Sequence, residues 1–179
     1  MRTRLAEPGD LAAVCRFYRE VCEAQDNDAY GPGWHYGVYP SEEDLAKRLE
    51  ENALYLCLEG ERIAAAFVLS AGEDDLYREV RWSEKTEKVF VMHLLAVHGA
   101  SRGKGIGREA LSDALRLASA RGGEAVHLDV VKGNLPAERL YRAAGFAFCE
   151  EKKVFYVDTG EILVELFEYD LRRGESRAE

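Results

Sequence analysis

The residues best suited to chemistry form a basic, glycine-rich stretch in the second half of the chain, Arg-Gly-Lys-Gly-Ile-Gly over residues 102–107. It follows an apolar run and precedes a segment with helical periodicity. A turn at the start of a helix leaves several backbone N–H groups without intrahelical acceptors, and the helix dipole adds partial positive charge there. Arg102, Lys104 and Arg108 carry the same sign of charge. The stretch therefore predicts a helix N-terminus that binds phosphate.

The glycine spacing argues against two common nucleotide-binding motifs. A dinucleotide fingerprint requires Gly-x-Gly-x-x-Gly, and a P-loop requires Gly-x-x-x-x-Gly-Lys followed by Ser or Thr. Here Gly103, Gly105 and Gly107 are spaced Gly-x-Gly-x-Gly, and the P-loop pattern does not occur. A glycine turn without a ligand is a further alternative, which the crowding of three basic residues disfavours. Binding of a nucleotide phosphate stays open as a third interpretation.

The elements around the turn must position it. Residues 89–97 are almost continuously apolar, as expected of a strand buried on both faces, and His93 interrupts them. The residues after the turn predict a helix from about Gly105 to Arg121. A second apolar strand is predicted over 125–131, and a further helix is predicted to begin at Asn134.

The remaining periodicity predicts a mixture of strands and helices. The further strands predicted are 3–6, 54–58, 63–70, 146–148, 154–157 and 162–169. The further helices predicted are one over 11–24 capped by Asp10, and one that begins after Ser41, has Asp44 in the capping-box position and ends near Asn52. Strands mixed with helices, with a hairpin at the end, predict an α/β sandwich with a mixed sheet.

Composition narrows the class of protein. The chain has 179 residues, 47% of them hydrophobic, which predicts a single domain over 1–179 with a charged tail from about 172. The 33 acidic and 24 basic residues give a net charge of −9, which argues against nucleic acid as the main partner. A negative surface favours the approach of a cationic substrate such as an amine.

Cysteine usage and the lack of long apolar runs bear on the compartment. The four cysteines, Cys15, Cys22, Cys57 and Cys149, are scattered and form no Cys-x-x-Cys pair. We interpret them as reduced thiols, and expect neither disulfides nor a metal site. No segment approaches the roughly 20 apolar residues that span a bilayer, and no signal peptide is recognised. We therefore expect a cytoplasmic protein without a membrane partner.

Three stretches of the sequence together resemble the GNAT superfamily of acyl-CoA-dependent N-acyltransferases, including its bacterial members. They are the strand 89–97, the turn 102–107, and a helix from Asn134 through Tyr141 that ends in Gly145-Phe146. The turn matches the family pattern of Arg or Gln, two residues, Gly, one residue, and Gly or Ala. The resemblance implies a mixed, mostly antiparallel central sheet with a splayed strand pair and flanking helices. It also implies transfer of an acetyl group from acetyl-CoA to a primary amine, by direct attack in a ternary complex.

The resemblance assigns roles to individual residues. The backbone amides that would hold the coenzyme diphosphate are those around Arg102, Gly103, Lys104, Gly105, Ile106, Gly107 and Arg108. The backbone of Leu95, Ala96 and Val97 would pair with the pantetheine arm as an added strand does, in a wedge that opens beside strand 125–131. Asn134 would hydrogen-bond in that wedge. Tyr141 would protonate the departing thiolate, and the backbone N–H near Leu95 would stabilise the oxyanion.

The reaction also needs a group that removes a proton from the amine. A lysine-like amine has a pKa near 10.4 and is mostly charged at neutral pH. His93 can accept that proton, because the pKa of an unperturbed histidine is about 6.5. Strand alternation predicts that His93 shares a face with Val91 and Leu95. A histidine that only packs in the core is the alternative, and it stays open.

Acceptor binding is the least determined part of the sequence. The residues expected to line an acceptor groove are Trp34, Tyr36, Tyr77, Trp82 and Asp129. Their aromatic rings could receive an amine through cation–π contact. The aromatic segment 26–39 could equally pack on the core. A small molecule or a peptide could supply the amine, a homodimer is left open, and a non-catalytic acyl-CoA sensor of the same fold is the alternative function.

Overall fold

Within the residues that the computed structural model describes, which are 1–25, 31, 33–77, 79–156 and 159–172, seven strands form one mixed sheet. The strands are β1 (Arg2–Leu5), β2 (Leu54–Glu59), β3 (Arg62–Ala71), β4 (Val89–Val97), β5 (Ala125–Val131), β6 (Ala147–Tyr156) and β7 (Gly160–Asp170). Their order is β1-β2-β3-β4-β5-β7-β6, and every neighbouring pair is antiparallel except β4–β5. The predicted fold class is confirmed.

Helices cover both faces of the sheet. They are α1 (Leu11–Gln25), α2 (Glu42–Glu50), α3 (Ile106–Ala120) and α4 (Leu135–Ala144). One core cluster joins α3 and α4 to the sheet, and includes Phe67, Phe90, Leu111, Leu128 and Phe167. A second joins α1 and α2 to the opposite face, and includes Tyr18, Leu45, Leu56, Val68 and Leu94. In the described part of the chain, no helix has the length and apolar character that a membrane span requires.

The segment 72–88 covers the second face where the two helices do not reach. It buries Tyr77 and Val80 in a third cluster, together with Val91 and Leu166 of the sheet. Apolar contacts of Tyr77 and Trp82 hold this otherwise polar segment on the sheet. The segment therefore forms one wall of any cavity that lies beside β4.

Local signals fixed most element ends, with two corrections. The capping box at Ser41 and Asp44 is present. Asp10 is not the cap of α1: a short 3-10 turn precedes the helix, and the Asp10 carboxylate accepts the Glu7 N–H at 2.7 Å. The two strands predicted over 146–148 and 154–157 are one continuous strand, β6. Val157 lies outside the described residues. The charged residues 150–153 are typical of a loop. An edge strand can contain them because one face of the strand is exposed to solvent.

The parallel pair in the centre of the sheet is short. β4 and β5 are paired only from Val89–Val91 to Ala125–His127, and beyond these residues the strands separate. β4 continues along β3, while β5 continues along β7. The predicted splayed pair is thereby confirmed, and a wedge opens between the two halves of the sheet.

A β-bulge lies at the start of this wedge. Val68 of β3 pairs with His93, and Ala66 pairs with Ala96, so β4 has one residue more than β3 over this interval. Leu94 adopts the left-handed region, with φ +53°. Its carbonyl accepts a hydrogen bond from the Tyr18 hydroxyl of α1 at 2.8 Å, and the contact is buried. The bulge is thus fixed by a side chain from another element.

The bulge changes which side chains share a face. Val91 packs in the cluster beneath segment 72–88, whereas Leu95 packs against the α3 and α4 cluster on the opposite face. The prediction that His93, Val91 and Leu95 lie on one face is therefore wrong for Leu95. Regular alternation fails because the extra residue, Leu94, turns its own side chain into the α1 and α2 cluster.

Replacing Tyr18 with Phe should lower the free energy of unfolding by about 1–3 kcal/mol, because it leaves the buried Leu94 carbonyl without its donor. Urea denaturation of wild type and variant measures this. Tyr55→Phe is the matched control, since the one hydrogen bond of the Tyr55 hydroxyl within the described part of the chain is accepted from Arg121, at 3.3 Å. We expect a loss below about 1 kcal/mol there. Equal losses for the two variants would contradict a specific role of Tyr18 at the bulge.

Candidate active site

The first cavity lies in the wedge between β4 and β5. Its walls are the end of β4, the glycine-rich turn and the first turn of α4, with further contributions from α1. The sequence-predicted coenzyme residues among its lining are Leu95, Ala96, Val97, Arg102, Gly103, Gly105, Ile106, Gly107, Arg108 and Asn134. Lys104 does not line it, because the Lys104 ammonium group turns back to the Ala100 carbonyl at 2.9 Å. The turn and the separated strand thus face the same cleft.

The turn exposes backbone donors to this cleft. Gly103 and Gly105 have φ of +74° and +82°, a region that glycine adopts without strain. The N–H groups of Arg108 and Glu109 bond to the Gly105 carbonyl, which closes the first turn of α3. The N–H groups of Ile106 and Gly107 have no backbone acceptor among the described residues, as is usual at a helix start. These donors and the dipole of a 15-residue helix form an anion site.

A second cavity, of about 210 Å³, adjoins the first. Both are lined by Trp34, Leu95, Asn134 and Ala137, so they meet at the bulged end of β4 and the start of α4. The titratable residues that line the second cavity are Tyr39, Arg48, Asp74, His93, Asp129, Tyr141 and Tyr156. A ligand in the cleft can therefore reach a chamber that contains titratable groups.

His93 is oriented by a carboxylate at one side of this chamber. Its Nε2 lies 3.2 Å from Oδ2 of Asp74, which belongs to segment 72–88. The other oxygen of Asp74 accepts the Leu76 N–H at 2.8 Å. The hydrogen bond with His93 lowers the pKa of Asp74, despite the opposing effect of burial. With Nε2 as the donor to Asp74, Nδ1 of a neutral His93 carries the lone pair that can accept a proton.

A second carboxylate, Asp129 of β5, lies between phenols. The Tyr77 hydroxyl donates to Oδ1 of Asp129, and the Tyr156 hydroxyl donates to Oδ2 at 3.1 Å. Tyr141 lies on the inward face of α4 and is 7% exposed. Burial, and secondarily the charge of Asp129, raise the pKa of Tyr141 far above its ordinary value. Tyr141 is therefore a neutral hydrogen-bond donor throughout the physiological range.

Comparison with known proteins identifies the family. The family model of the GNAT acetyltransferases matches residues 14–146, which include the wedge, the turn and α4. The chain belongs to the GNAT acetyltransferase family. It is 29% identical over 169 residues to the streptothricin acetyltransferase of Streptomyces lavendulae, a match that covers 87% of this chain and 86% of that protein.

Solved GNAT structures have the same fold. A GNAT-family acetyltransferase from Streptococcus agalactiae superimposes with a TM-score of 0.77 at 17% identity, over 94% of each chain. The Salmonella typhimurium protein yncA, solved with its cofactor acetyl-CoA, gives 0.70 at 19% identity and covers 96% of this chain and 94% of that one. The ribosomal-protein-S18-alanine N-acetyltransferase of Escherichia coli gives 0.68 at 17% identity, over 95% and 93%.

Acetyl-CoA is the cofactor of the GNAT family, and the cleft fits it. A diphosphate needs donors without a competing side chain, and a Cβ built at Gly103 or Gly105 meets no atom within 4 Å. A pantetheine arm needs an open strand edge, and β4 has no strand partner on its β5 side beyond Val91. The cleft supplies both, and it continues into the second cavity, where a thioester would have to meet an acceptor.

The structure separates the five residues predicted to bind the acceptor. Trp34 and Asp129 line the second cavity of this GNAT chain. Tyr77 lies behind the cavity wall, where its hydroxyl reaches Asp129. Tyr36 lies beneath the Arg19 guanidinium, 5.0 Å from its ring centre, and Trp82 stacks on His127 with 3.7 Å between ring centroids. Neither Tyr36 nor Trp82 lines either cavity.

The sequence analysis missed four titratable residues of this cavity: Tyr39, Arg48, Asp74 and Tyr156. Tyr39 lies in the aromatic segment 26–39, for which the sequence favoured neither packing on the core nor lining a pocket. Asp74 lies in a polar segment with several acidic residues, so no local pattern distinguishes it. Tyr156 belongs to an edge strand whose continuity was not predicted. These residues meet only through the tertiary fold.

A polar cluster fastens segment 72–88 to the sheet. His127 of β5 is 1% exposed, with Glu73 at 2.9 Å from Nδ1 and Glu168 at 3.2 Å from Nε2. The buried Glu168 carboxylate also accepts the Ser83 and Glu84 N–H groups. These contacts lie on both sides of Asp74 and Tyr77 in sequence. The cluster therefore fixes the segment that orients His93 and Asp129.

We expect Gly105→Ala to weaken coenzyme A binding at least about tenfold, because its Cβ would enter the space in front of the anion site. Titration calorimetry with coenzyme A measures the affinity. Gly60→Ala is the matched control: Gly60 also has positive φ, +62°, and open space around its Cβ, but it lies in the β2–β3 hairpin. Both variants bear the same backbone strain, and a similar loss of affinity in both would argue against the turn as the binding site.

Proposed function

We propose that this GNAT protein transfers the acetyl group of acetyl-CoA to a primary amine by direct attack in a ternary complex. The observation that carries the proposal is the junction of the two cavities at Leu95 and Asn134, with His93 and Tyr141 in the wall of the second. Donor and acceptor would approach this junction from opposite sides. Holding both reactants in one geometry supplies a large part of the rate without a covalent enzyme intermediate.

The residues of the cleft would bind and orient the donor. Acetyl-CoA, when bound, supplies an electrophilic thioester carbonyl and a thiolate leaving group. The amides of Ile106 and Gly107 would hold the diphosphate, and the free edge of β4 from Leu95 to Val97 would pair with the pantetheine amides. The N–H near Leu95 would face the thioester oxygen, because the bulge turns this part of β4 out of the ladder.

His93 would act as the general base. Its Nδ1 would accept the proton that the amine nitrogen loses as the N–C bond forms, and Asp74 would hold the ring and stabilise the resulting imidazolium. Asp74 can do so over the working pH range because its lowered pKa keeps it ionised well below neutrality. This is the arrangement of a base oriented by a third group.

Tyr141 would assist the departure of the thiolate. Its raised pKa lies above the value of about 8.5 typical of a thiol, so complete proton transfer from the phenol would be uphill. Donation of a hydrogen bond to the departing sulfur requires no such transfer, and it stabilises negative charge where it develops. Burial keeps the phenol protonated and ready for that role.

The function is tested by thiol release from acetyl-CoA over a panel of primary amines. Wild type should release thiol only when an amine is present, and Tyr141→Phe should lower kcat about 100-fold while coenzyme A affinity stays unchanged. Tyr55→Phe, a change of the same kind away from both cavities, should leave kcat unchanged. Coenzyme A binding without thiol release from any amine would overturn the proposal and support an acyl-CoA sensor.

The role of the His93–Asp74 pair is tested by the pH dependence of kcat/KM. In wild type the rate should rise as His93 loses its proton, and His93→Gln should abolish that acid limb and lower the rate about 100-fold. Asp74→Asn should move the acid limb to lower pH, because an imidazolium without its carboxylate is less stable. An acid limb that is unaltered in His93→Gln would assign the histidine to packing alone.

A further inference from the structure

The second cavity contains a carboxylate, Asp129, that has no ion-pair partner among the described residues. Two carboxylates line this cavity, and Asp74 is paired with His93. Arg48 lines the same cavity, but its guanidinium lies 2.8 Å from the Glu51 carboxylate. An unpaired carboxylate in a largely enclosed chamber is costly, and this cost is removed when a cation binds.

Two phenol groups fix the position of the Asp129 carboxylate. Tyr77 donates to one oxygen from segment 72–88, and Tyr156 donates to the other from β6. Burial and the charge of Asp129 raise the pKa of both phenols, so they remain donors. Each carboxylate oxygen has a second lone pair, which leaves Asp129 able to accept from a ligand.

The walls of the chamber suit a cationic ligand. Trp34, Tyr39 and Tyr156 line it together with Asp129. Aromatic faces attract ammonium groups, and the attraction grows when water is excluded. The net charge of −9 of the whole chain adds a long-range attraction of the same sign.

The reacting amine itself is not the natural partner of Asp129. An amine must lose its proton before it attacks, and a fixed carboxylate beside it would stabilise the ammonium form. Deprotonation is assigned to His93, which Asp74 orients. Asp129 is thus left for a cation that does not react. Asp129 lines the same cavity as His93 and Tyr141, so this site lies close to the proposed reaction centre.

We propose that the acceptor is a diamine-type molecule, in which one amine reacts beside His93 while a second cationic group binds the Asp129 carboxylate. This inference rests on the proposed N-acetyltransferase function and names its class of substrate. It makes Asp129 a specificity-determining residue, supported by Tyr77 and Tyr156 as positioning residues.

Matched amine pairs test the substrate class. Linear α,ω-diamines with three to six carbons are compared with the monoamine of equal chain length, as kcat/KM for thiol release from acetyl-CoA. The best diamine should exceed its monoamine by about 10- to 100-fold, the range expected for a charge-assisted hydrogen bond in a partly enclosed site. Equal values for the members of every pair would overturn the proposal.

Two variants assign the preference to Asp129. Asp129→Asn should abolish the diamine preference, so that kcat/KM falls at least about tenfold more for the diamine than for the matched monoamine. Glu161→Gln removes the same charge at an exposed position, and should retain the preference. A monoamine rate that falls as far as the diamine rate would instead make Asp129 a base, which also overturns the proposal. If Asp129→Asn does not fold, Tyr156→Phe keeps the carboxylate and should reduce the preference severalfold; an unchanged preference there would overturn it.

Binding without turnover separates this inference from the proposed function. Calorimetry of 1,4-diaminobutane and 1,5-diaminopentane with the coenzyme A complex requires no acetyl transfer. Binding that Asp129→Asn abolishes and Glu161→Gln retains supports the cation site, even if no amine is acetylated and the proposed function fails. Acetylation of monoamines with no Asp129-dependent diamine binding would retain the function and overturn this inference.

Discussion

The parallel pairing of β4 and β5 ends after three residue pairs, and the site depends on that early end. A longer parallel pairing of β4 and β5 would close the wedge. It would also use the backbone hydrogen-bonding groups on the inner edge of β4 and leave no cleft for a coenzyme. The bulge at Leu94 coincides with the separation and turns β4 away from regular alternation. Tyr18 of α1 holds the bulge in place by donating a hydrogen bond to the Leu94 carbonyl. Helix α1, which covers one face of the sheet, therefore also helps to determine the shape of the cleft.

Charge is distributed unevenly over the molecule, and the two cavities differ in sign. The cleft is bordered by Arg102 and Arg108 at the exposed end of α3, in a chain whose net charge is −9. The adjoining chamber contains Asp74 and Asp129. An anionic donor and a cationic acceptor would thus each be attracted to a different cavity. The two cavities meet at Leu95 and Asn134, so the regions of positive and negative charge adjoin there.

Elements with strong local signals were predictable from the sequence. The bounds of β4 and β5 agree with the prediction, because both are apolar runs ended by turn residues. The glycine turn, the Asn134 cap and the inward Tyr141 also follow from spacing. The bulge does not, because the Tyr18 hydroxyl that holds Leu94 is 76 residues away in sequence. The contacts of Asp129 with Tyr77 and Tyr156 join residues 52 and 27 positions apart, and no periodicity encodes them.

Part of the second cavity is formed by segments that do not line the first. Tyr39, Asp74 and Tyr156 come from a loop before α2, from the segment after β3 and from an edge strand, whereas the cleft is built on β4, α3 and α4. Insertions or substitutions in the outer pieces can reshape the chamber while the coenzyme unit stays intact. In the proposed reaction, donor recognition and acceptor choice are thus structurally separable, and a new acceptor range could evolve on an unchanged coenzyme site.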